Sequence, residues 1–283
     1  GGKPPVRPAE KEVKGMRIAC LQMDMKLGSP EENFAHAQDL IRAAMQKAEK
    51  PDVLVLPETW NTGFFPKENL RGLSCNDGDA VKARIGALAR ELQVNIVAGS
   101  VSNARGERVF NTAMVFDRQG ACIARYDKTH LFTPMGEHDY YTPGNSLCRF
   151  ALDGAACGLI LCYDLRFPEL IRSLSLMGLD VLFVPAQWPK QRIFHLRTLV
   201  AARAIENQMF VVCCNSCGTA GETVFGGNSA IVDPLGETLA LAGESEAVAS
   251  AVCDLQMLAG IRDSIPVLRD RRPELYRVAE TRG

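Results

Sequence analysis

Three unbroken apolar runs constrain the fold more than anything else in this chain: Val53 to Leu56, Gly158 to Leu161 and Val181 to Val184. A strand without polar alternation has no face to offer water, so both of its faces need cover. Around these runs the spacing becomes helical. Behind Ser29-Pro30, the residues Phe34, Ala37, Leu40, Ile41, Ala44, Met45 and Ala48 line one helical face. Ser29, Pro30 and Glu32 supply an N-cap, a first-turn proline and a capping glutamate. Further helices are predicted over 79–92, where Val81, Ile85, Leu88 and Leu92 share a face, over 168–177 and over 193–206. Strands are predicted over 17–23, 53–56, 95–101, 112–117, 122–126, 159–162, 181–184, 209–215 and 247–253. A hairpin of 229–234 and 239–241 turns at Pro234-Leu235-Gly236.

This mixture of strand–helix units and hairpins predicts a layered α/β fold, with two sheets face to face and helices outside. No linker or long-period repeat divides the chain, so residues 16–283 are expected to form one domain. Its charged C-terminal segment, 261–277, can pack on its own subunit or cross to a partner. Residues 1–15, rich in Gly, Pro, Lys and Glu, read as a tag or disordered leader rather than a secretory signal. The cytoplasm is then the expected location, and the ten cysteines are expected to be reduced thiols. A net charge of -1 argues against a nucleic-acid partner. No apolar run approaches the length of a membrane span.

Three polar residues stand just past predicted strands: Glu58, Lys128 and Cys162. Ligand sites in α/β sheets gather at such carboxyl ends. A thiol, an ammonium and a carboxylate meeting there make a kit for acyl transfer. The sulfur attacks a carbonyl, the ammonium lowers the thiol pKa and stabilises the oxyanion, and the carboxylate moves protons. Cys162 is expected at the mouth of the helix begun by Pro168, whose positive end also favours a thiolate. Singly, each residue has an ordinary reading: a packed cysteine, a turn lysine, a helix-capping glutamate.

The flanking motifs narrow this. Pro57-Glu58-Thr59, Tyr126-Asp127-Lys128-Thr129-His130-Leu131-Phe132 and Leu161-Cys162-Tyr163-Asp164-Leu165-Arg166-Phe167-Pro168-Glu169 resemble the three catalytic motifs of the nitrilase superfamily, the carbon–nitrogen hydrolases. Pro185 to Pro189, Ala202 to Gln208, Gly227 to Ser229 and Asp233 to Gly236 are similar to that family as well. The resemblance implies a four-layer αββα sandwich, assembled as a homodimer or a larger homo-oligomer, with no cofactor. It implies Glu58 as general base, Lys128 as oxyanion donor, Cys162 as nucleophile, Glu137 as a second glutamate orienting the lysine, and the Tyr163 backbone N–H as second oxyanion donor. Within the superfamily the pattern is most similar to the omega-amidase branch, which hydrolyses the terminal amide of small 2-oxo dicarboxylic acid monoamides. Two other readings fit the same residues: an aliphatic amidase or N-carbamoyl amino acid amidohydrolase, or a catalytically silent metabolite-binding or interaction protein.

For the substrate, Arg166 is a candidate carboxylate anchor, its competing role being an ion pair with Asp164 or Glu169. Phe64, Phe65, Trp188 and Phe194 are candidate pocket walls. His130 is read as structural, and His195 as lying on a helix near the site entrance. Cys213, Cys214 and Cys217 lack a second ligand pair at metal spacing and are read as packing.

Overall fold

The apolar runs lie in the middle of two sheets that face each other. The structure, a computed structural model, describes residues 15–64 and 66–276. The first sheet has the spatial order Ala247–Cys253, Met16–Gln22, Val53–Val55, Asn95–Arg105, Arg108–Phe116, Cys122–Asp127, with the short Cys75–Asn76 beside Asn95–Arg105. The second has the order Thr238–Leu241, Ala230–Val232, Phe210–Asn215, Val181–Ala186, Ala155–Leu159, Arg149–Leu152. Central strands pair in parallel and outer ones antiparallel, so the central strands of each sheet share one carboxyl end.

Each unbroken run is divided by the strand's period of two. Val53 and Val55 face the inter-sheet layer with Leu159, Leu161, Val181 and Phe183. Leu54 and Leu56 face the other way, onto Phe34, Ala37 and Ile41 of helix Pro30–Met45 and onto Val81, Ile85 and Leu88. Leu182 and Val184 face Leu170, Ile171 and Leu174 of helix Pro168–Ser175 and Leu196 and Val200 of helix Ile193–Asn207. The result is the expected αββα sandwich.

Some local expectations are corrected. Ser29 precedes the first helix but makes no side-chain capping bond, and Glu32 pairs with Lys26 instead of closing a capping box. The helix over 79–92 contains a π-turn, Lys82–Gly86. The strand expected over 159–162 lies earlier, at Ala155–Leu159, in a hairpin with Arg149–Leu152. Its turn is Asp153-Gly154, at φ 47° and 93°, the two-residue turn whose twist matches paired strands. The tail's first part packs on its own subunit: Arg262 donates to the carbonyls of Leu179 at 2.6 Å and Gln208 at 3.2 Å. Except for Gly15, the leader lies outside the described residues, as does Arg277.

One irregularity aims the strand end that precedes Glu58. Asn95–Arg105 shifts register between Val97 and Ser100, with Gly99 at φ 57°. There the chain presses against the neighbouring turn, and a Cβ on Gly99 would lie 1.9 Å from the Pro57 carbonyl oxygen. Gly99→Ala is therefore expected to destabilise the fold by at least about 1–3 kcal/mol. A lower urea midpoint than wild type checks this, and an unchanged midpoint refutes it.

Candidate active site

Glu58 follows Val53–Val55 in a turn stitched to that bulge. Ser100 N–H donates to the Pro57 carbonyl at 3.1 Å, Thr59 N–H to Ser100 Oγ at 2.9 Å, and Trp60 N–H to the Ser100 carbonyl at 3.1 Å. The carboxylate so aimed is buried. Its Oε1 accepts from Asn111 Nδ2 at 2.8 Å and Lys128 Nζ at 2.9 Å, and its Oε2 from the Gln187 N–H at 3.0 Å. Gln187 follows Val181–Ala186 of the opposite sheet, so this one side chain joins the ends of both sheets.

Lys128 follows Cys122–Asp127, and its main chain is fixed by bonds to the Asn111 carbonyl and the Gly144 N–H, both at 2.9 Å. Its ammonium also reaches Glu137 Oε2 at 2.9 Å and Oε1 at 3.1 Å. Glu137 begins a single 3-10 turn after Gly136, and it too accepts from Asn111, at 3.3 Å. Burial works against the ammonium, but the Glu137 and Glu58 carboxylates outweigh it and hold Lys128 well above the usual lysine range.

Cys162 opens the 3-10 turn Cys162–Arg166, at φ 44°, a left-handed conformation costly for a residue with a Cβ. Asp164 secures the turn. Its Oδ2 accepts from the Leu161 N–H at 3.0 Å and the Tyr126 hydroxyl at 2.7 Å, and its Oδ1 from the His130 N–H at 2.9 Å. His130 Nδ1 lies 2.8 Å from that same oxygen, and its ring stacks on Phe167 at 3.6 Å. The histidine thus ties the Cys162 turn to the lysine loop, as its structural reading holds. The Tyr163 N–H lies in the first part of that turn, where amides lack partners within the turn.

The electrostatics correct one expectation. Burial first, and then the charge of Glu58, push the Cys162 thiol well above the usual cysteine value; Lys128 and a backbone bond from Gln187 pull it down by less. Glu58 is the carboxylate that acts on the sulfur, and Lys128 offsets it only in part. The α-helix begins only at Pro168, too far along the chain to act on Cys162 with its N-terminal turn. The resting group is a thiol with a carboxylate at hand, rather than a stored thiolate.

Glu58, Lys128 and Cys162 line one cavity, walled by Phe64, Phe132, Met135, Trp188 and Phe225. Arg166 faces it with its guanidinium 4.7 Å from the Trp188 ring centre. Neither carboxylate considered for Arg166 binds it: Asp164 is taken up by the bonds above, and the polar contact of Arg166 is His195 Nδ1, at 3.3 Å. His195 lies in the first turn of helix Ile193–Asn207, beside the cavity as expected. Phe194 does not line the cavity. It is 78% exposed and points from that helix into a surface groove with Val232 and Leu241. Phe65 lies outside the described residues. Cys213 and Cys214 face opposite sides of one strand, in the helix-facing and inter-sheet layers, which explains them as packing. Sequence reasoning missed Asn111, Gln187 and Arg192. Asn111 had a signal, an amide set between Phe110 and the strand predicted from Thr112.

The sequence model of the carbon–nitrogen hydrolase family matches residues 17–263. A 2-oxoglutaramate amidase of Bacillus subtilis (strain 168) is 43% identical over 259 residues, covering 92% of this chain and 98% of that protein. An omega-amidase of Xenopus tropicalis is 33% identical over 267 residues, covering 89% and 94%. Among solved structures, a mutant of the amidase from Nesterenkonia sp. AN1 has a TM-score of 0.82 at 27% identity, covering 95% of this chain and 98% of that one. In it the acetamide moiety of fluoroacetamide is added covalently at the active-site cysteine.

A thiol raised by burial and by Glu58 stays protonated through neutrality. Labelling of Cys162 by methyl methanethiosulfonate, followed by peptide mass spectrometry, is expected to accelerate with pH beyond 9.0, the ordinary thiol value. Glu58→Gln removes a charge that raises the thiol, so the inflection should move down. A wild-type plateau near neutrality would refute this electrostatic account.

Proposed function

The chain belongs to the carbon–nitrogen hydrolase family, and from that premise we propose that Glu58, Lys128, Glu137 and Cys162 make it a thiol amidohydrolase of the omega-amidase kind, acting on 2-oxo acid monoamides. The observation that carries the reading is the Lys128 ammonium held between two buried carboxylates in the cavity that Cys162 lines. A lysine so held stays charged and serves as a donor rather than a proton source.

The raised thiol fits a coupled first step. Glu58 takes the thiol proton as sulfur adds to the amide carbon, so free thiolate never has to accumulate. The oxygen of the tetrahedral adduct accepts from Lys128 Nζ and the Tyr163 N–H. Glu58 returns its proton to the departing nitrogen, which leaves as ammonia, and a thioester remains. Water, deprotonated by Glu58, adds to the thioester carbonyl; the carbon–sulfur bond breaks, Glu58 gives its proton to the leaving sulfur, and the carboxylic acid departs. Glu58 accepts one lysine N–H and the two oxygens of Glu137 share a second, which leaves the third donor for the substrate oxygen.

The substrate class rests on the two relatives named for 2-oxoglutaramate and omega-amide hydrolysis, together with Arg166 on the cavity wall without a carboxylate partner. Its planar fork suits a substrate carboxylate. Self-association is supported by the exposed Phe194, at 78%, which lines an apolar surface groove with Val232 and Leu241. The ten free cysteines support a reducing compartment such as the cytoplasm. Among the described residues no helix is long and apolar enough to cross a membrane.

Ammonia release across 2-oxo acid monoamides, simple aliphatic amides, N-carbamoyl amino acids and nitriles tests the reading. The 2-oxo acid monoamides are expected to have the highest kcat/KM. Cys162→Ala is expected to abolish turnover and Glu58→Gln nearly so. Normal turnover by Cys162→Ala would overturn the mechanism, and a higher rate on N-carbamoyl compounds would reassign the substrate.

A further inference from the structure

Two guanidinium groups face the cavity, and a single substrate carboxylate satisfies only one. Arg166 lies 4.7 Å from the Trp188 ring centre, and Arg192 lies 5.4 Å from that of Phe132. Arg192 ends the 3-10 turn Lys190–Arg192, between the strand end that carries Gln187 and helix Ile193–Asn207. Its main chain is held at both ends: its N–H donates to the Pro189 carbonyl at 3.0 Å, and its own carbonyl accepts from Trp188 Nε1 at 2.9 Å. The indole that supports Arg166 is thus anchored on the backbone of Arg192, and one small unit places both cations.

Neither guanidinium forms an ion pair with a carboxylate among the described residues; Arg166 has His195, and Arg192 has the Phe132 face. Stacking on an aromatic face suits a weakly hydrated, planar cation and leaves its N–H edge free for a ligand. The cavity therefore offers two cationic donor groups on its walls, beside the negatively balanced cluster of Glu58, Lys128 and Glu137.

We propose that Arg192 selects the group on the carbon next to the substrate carboxylate, donating to a 2-oxo oxygen and turning away an ammonium. The proposal rests on the reading of this cavity as a site for amides that carry a carboxylate. Arginine is donor-only and keeps its charge at any working pH. A ketone oxygen presents lone pairs to it. The ammonium of an α-amino acid presents donors to a donor and positive charge to positive charge. The amino acid amide loses twice, through an unmade bond and through repulsion, whereas a plain methylene at that carbon loses only the bond.

The test uses the full chain and three amides of equal length that differ only at that carbon: 2-oxoglutaramate, glutaric acid monoamide and glutamine. Wild-type kcat/KM is expected to fall in that order. Arg192→Met keeps part of the aliphatic stem and removes the guanidinium that lies over Phe132. It is expected to lose roughly 10–100-fold on 2-oxoglutaramate, the range for one bond to a charged donor. It should change little on glutaric acid monoamide and gain on glutamine. Arg192→Lys keeps the charge without the fork, so it should still reject glutamine while recovering only part of the 2-oxo preference. Equal losses on all three amides, or an unchanged ratio among them, would overturn the proposal. Hydrolysis of aliphatic or N-carbamoyl amides but of none of the three would instead sink the underlying reading, and the proposal with it.

Discussion

The buried ammonium of Lys128, held by Glu58 and Glu137, is the interaction on which the rest of this structure depends. Lys128 and Glu137 are each only 3% exposed, as is Glu58. Three charges out of water survive together because each satisfies another and because neutral donors complete the set. Removing one partner from such a group leaves an unpaired charge, a loss of roughly 3–5 kcal/mol. The cluster is therefore part of the fold as well as part of the site, and its geometry is set by the strand ends that deliver its members.

Those ends come from both sheets. Glu58 and Lys128 descend from one, Gln187 and Cys162 from the other, and the Gln187 N–H on Glu58 Oε2 is a bond across the sandwich. Asp164 makes a second tie, gathering Tyr126 and His130 from the first sheet's side onto the turn that carries Cys162. The apolar layer between the sheets sets their separation, and these polar ties fix how their ends meet. The strained φ of Cys162 fits this arrangement, since a conformation that the residue would not choose alone needs surroundings that over-determine it.

Much of this was legible in the residues, for physical reasons. Val53 to Leu56 and Val181 to Val184 have no polar side and so announced strands buried on both faces. Glu58 and Cys162 were visible because each polar group ends such a run, and Lys128 because it stands just past the predicted strand 122–126. What stayed hidden depends on distance through space. The thiol's state follows from burial and from Glu58's charge, and no spacing around Cys162 encodes either. Phe194 was misassigned because one step around a helix turns a side chain from cavity to solvent. Arg192 was passed over because its role depends on Phe132, brought to it from a distant segment. The hairpin turning at Asp153-Gly154 did carry a local signal, but its strands are rich in alanine and alternate weakly.

Keeping Cys162 protonated and buried has a bearing on durability. Peroxides and other two-electron oxidants react with thiolates far faster than with thiols, and only with sulfur that they can reach. At 9% exposure, with its proton retained, Cys162 offers such reagents little. A cysteine activated by permanent ionisation would be consumed by oxidants in the intervals between turnovers. In the mechanism proposed for Cys162, nucleophilic sulfur arises only when a carbonyl is in place to receive it, so the reactivity of the residue and its protection from damage have the same origin.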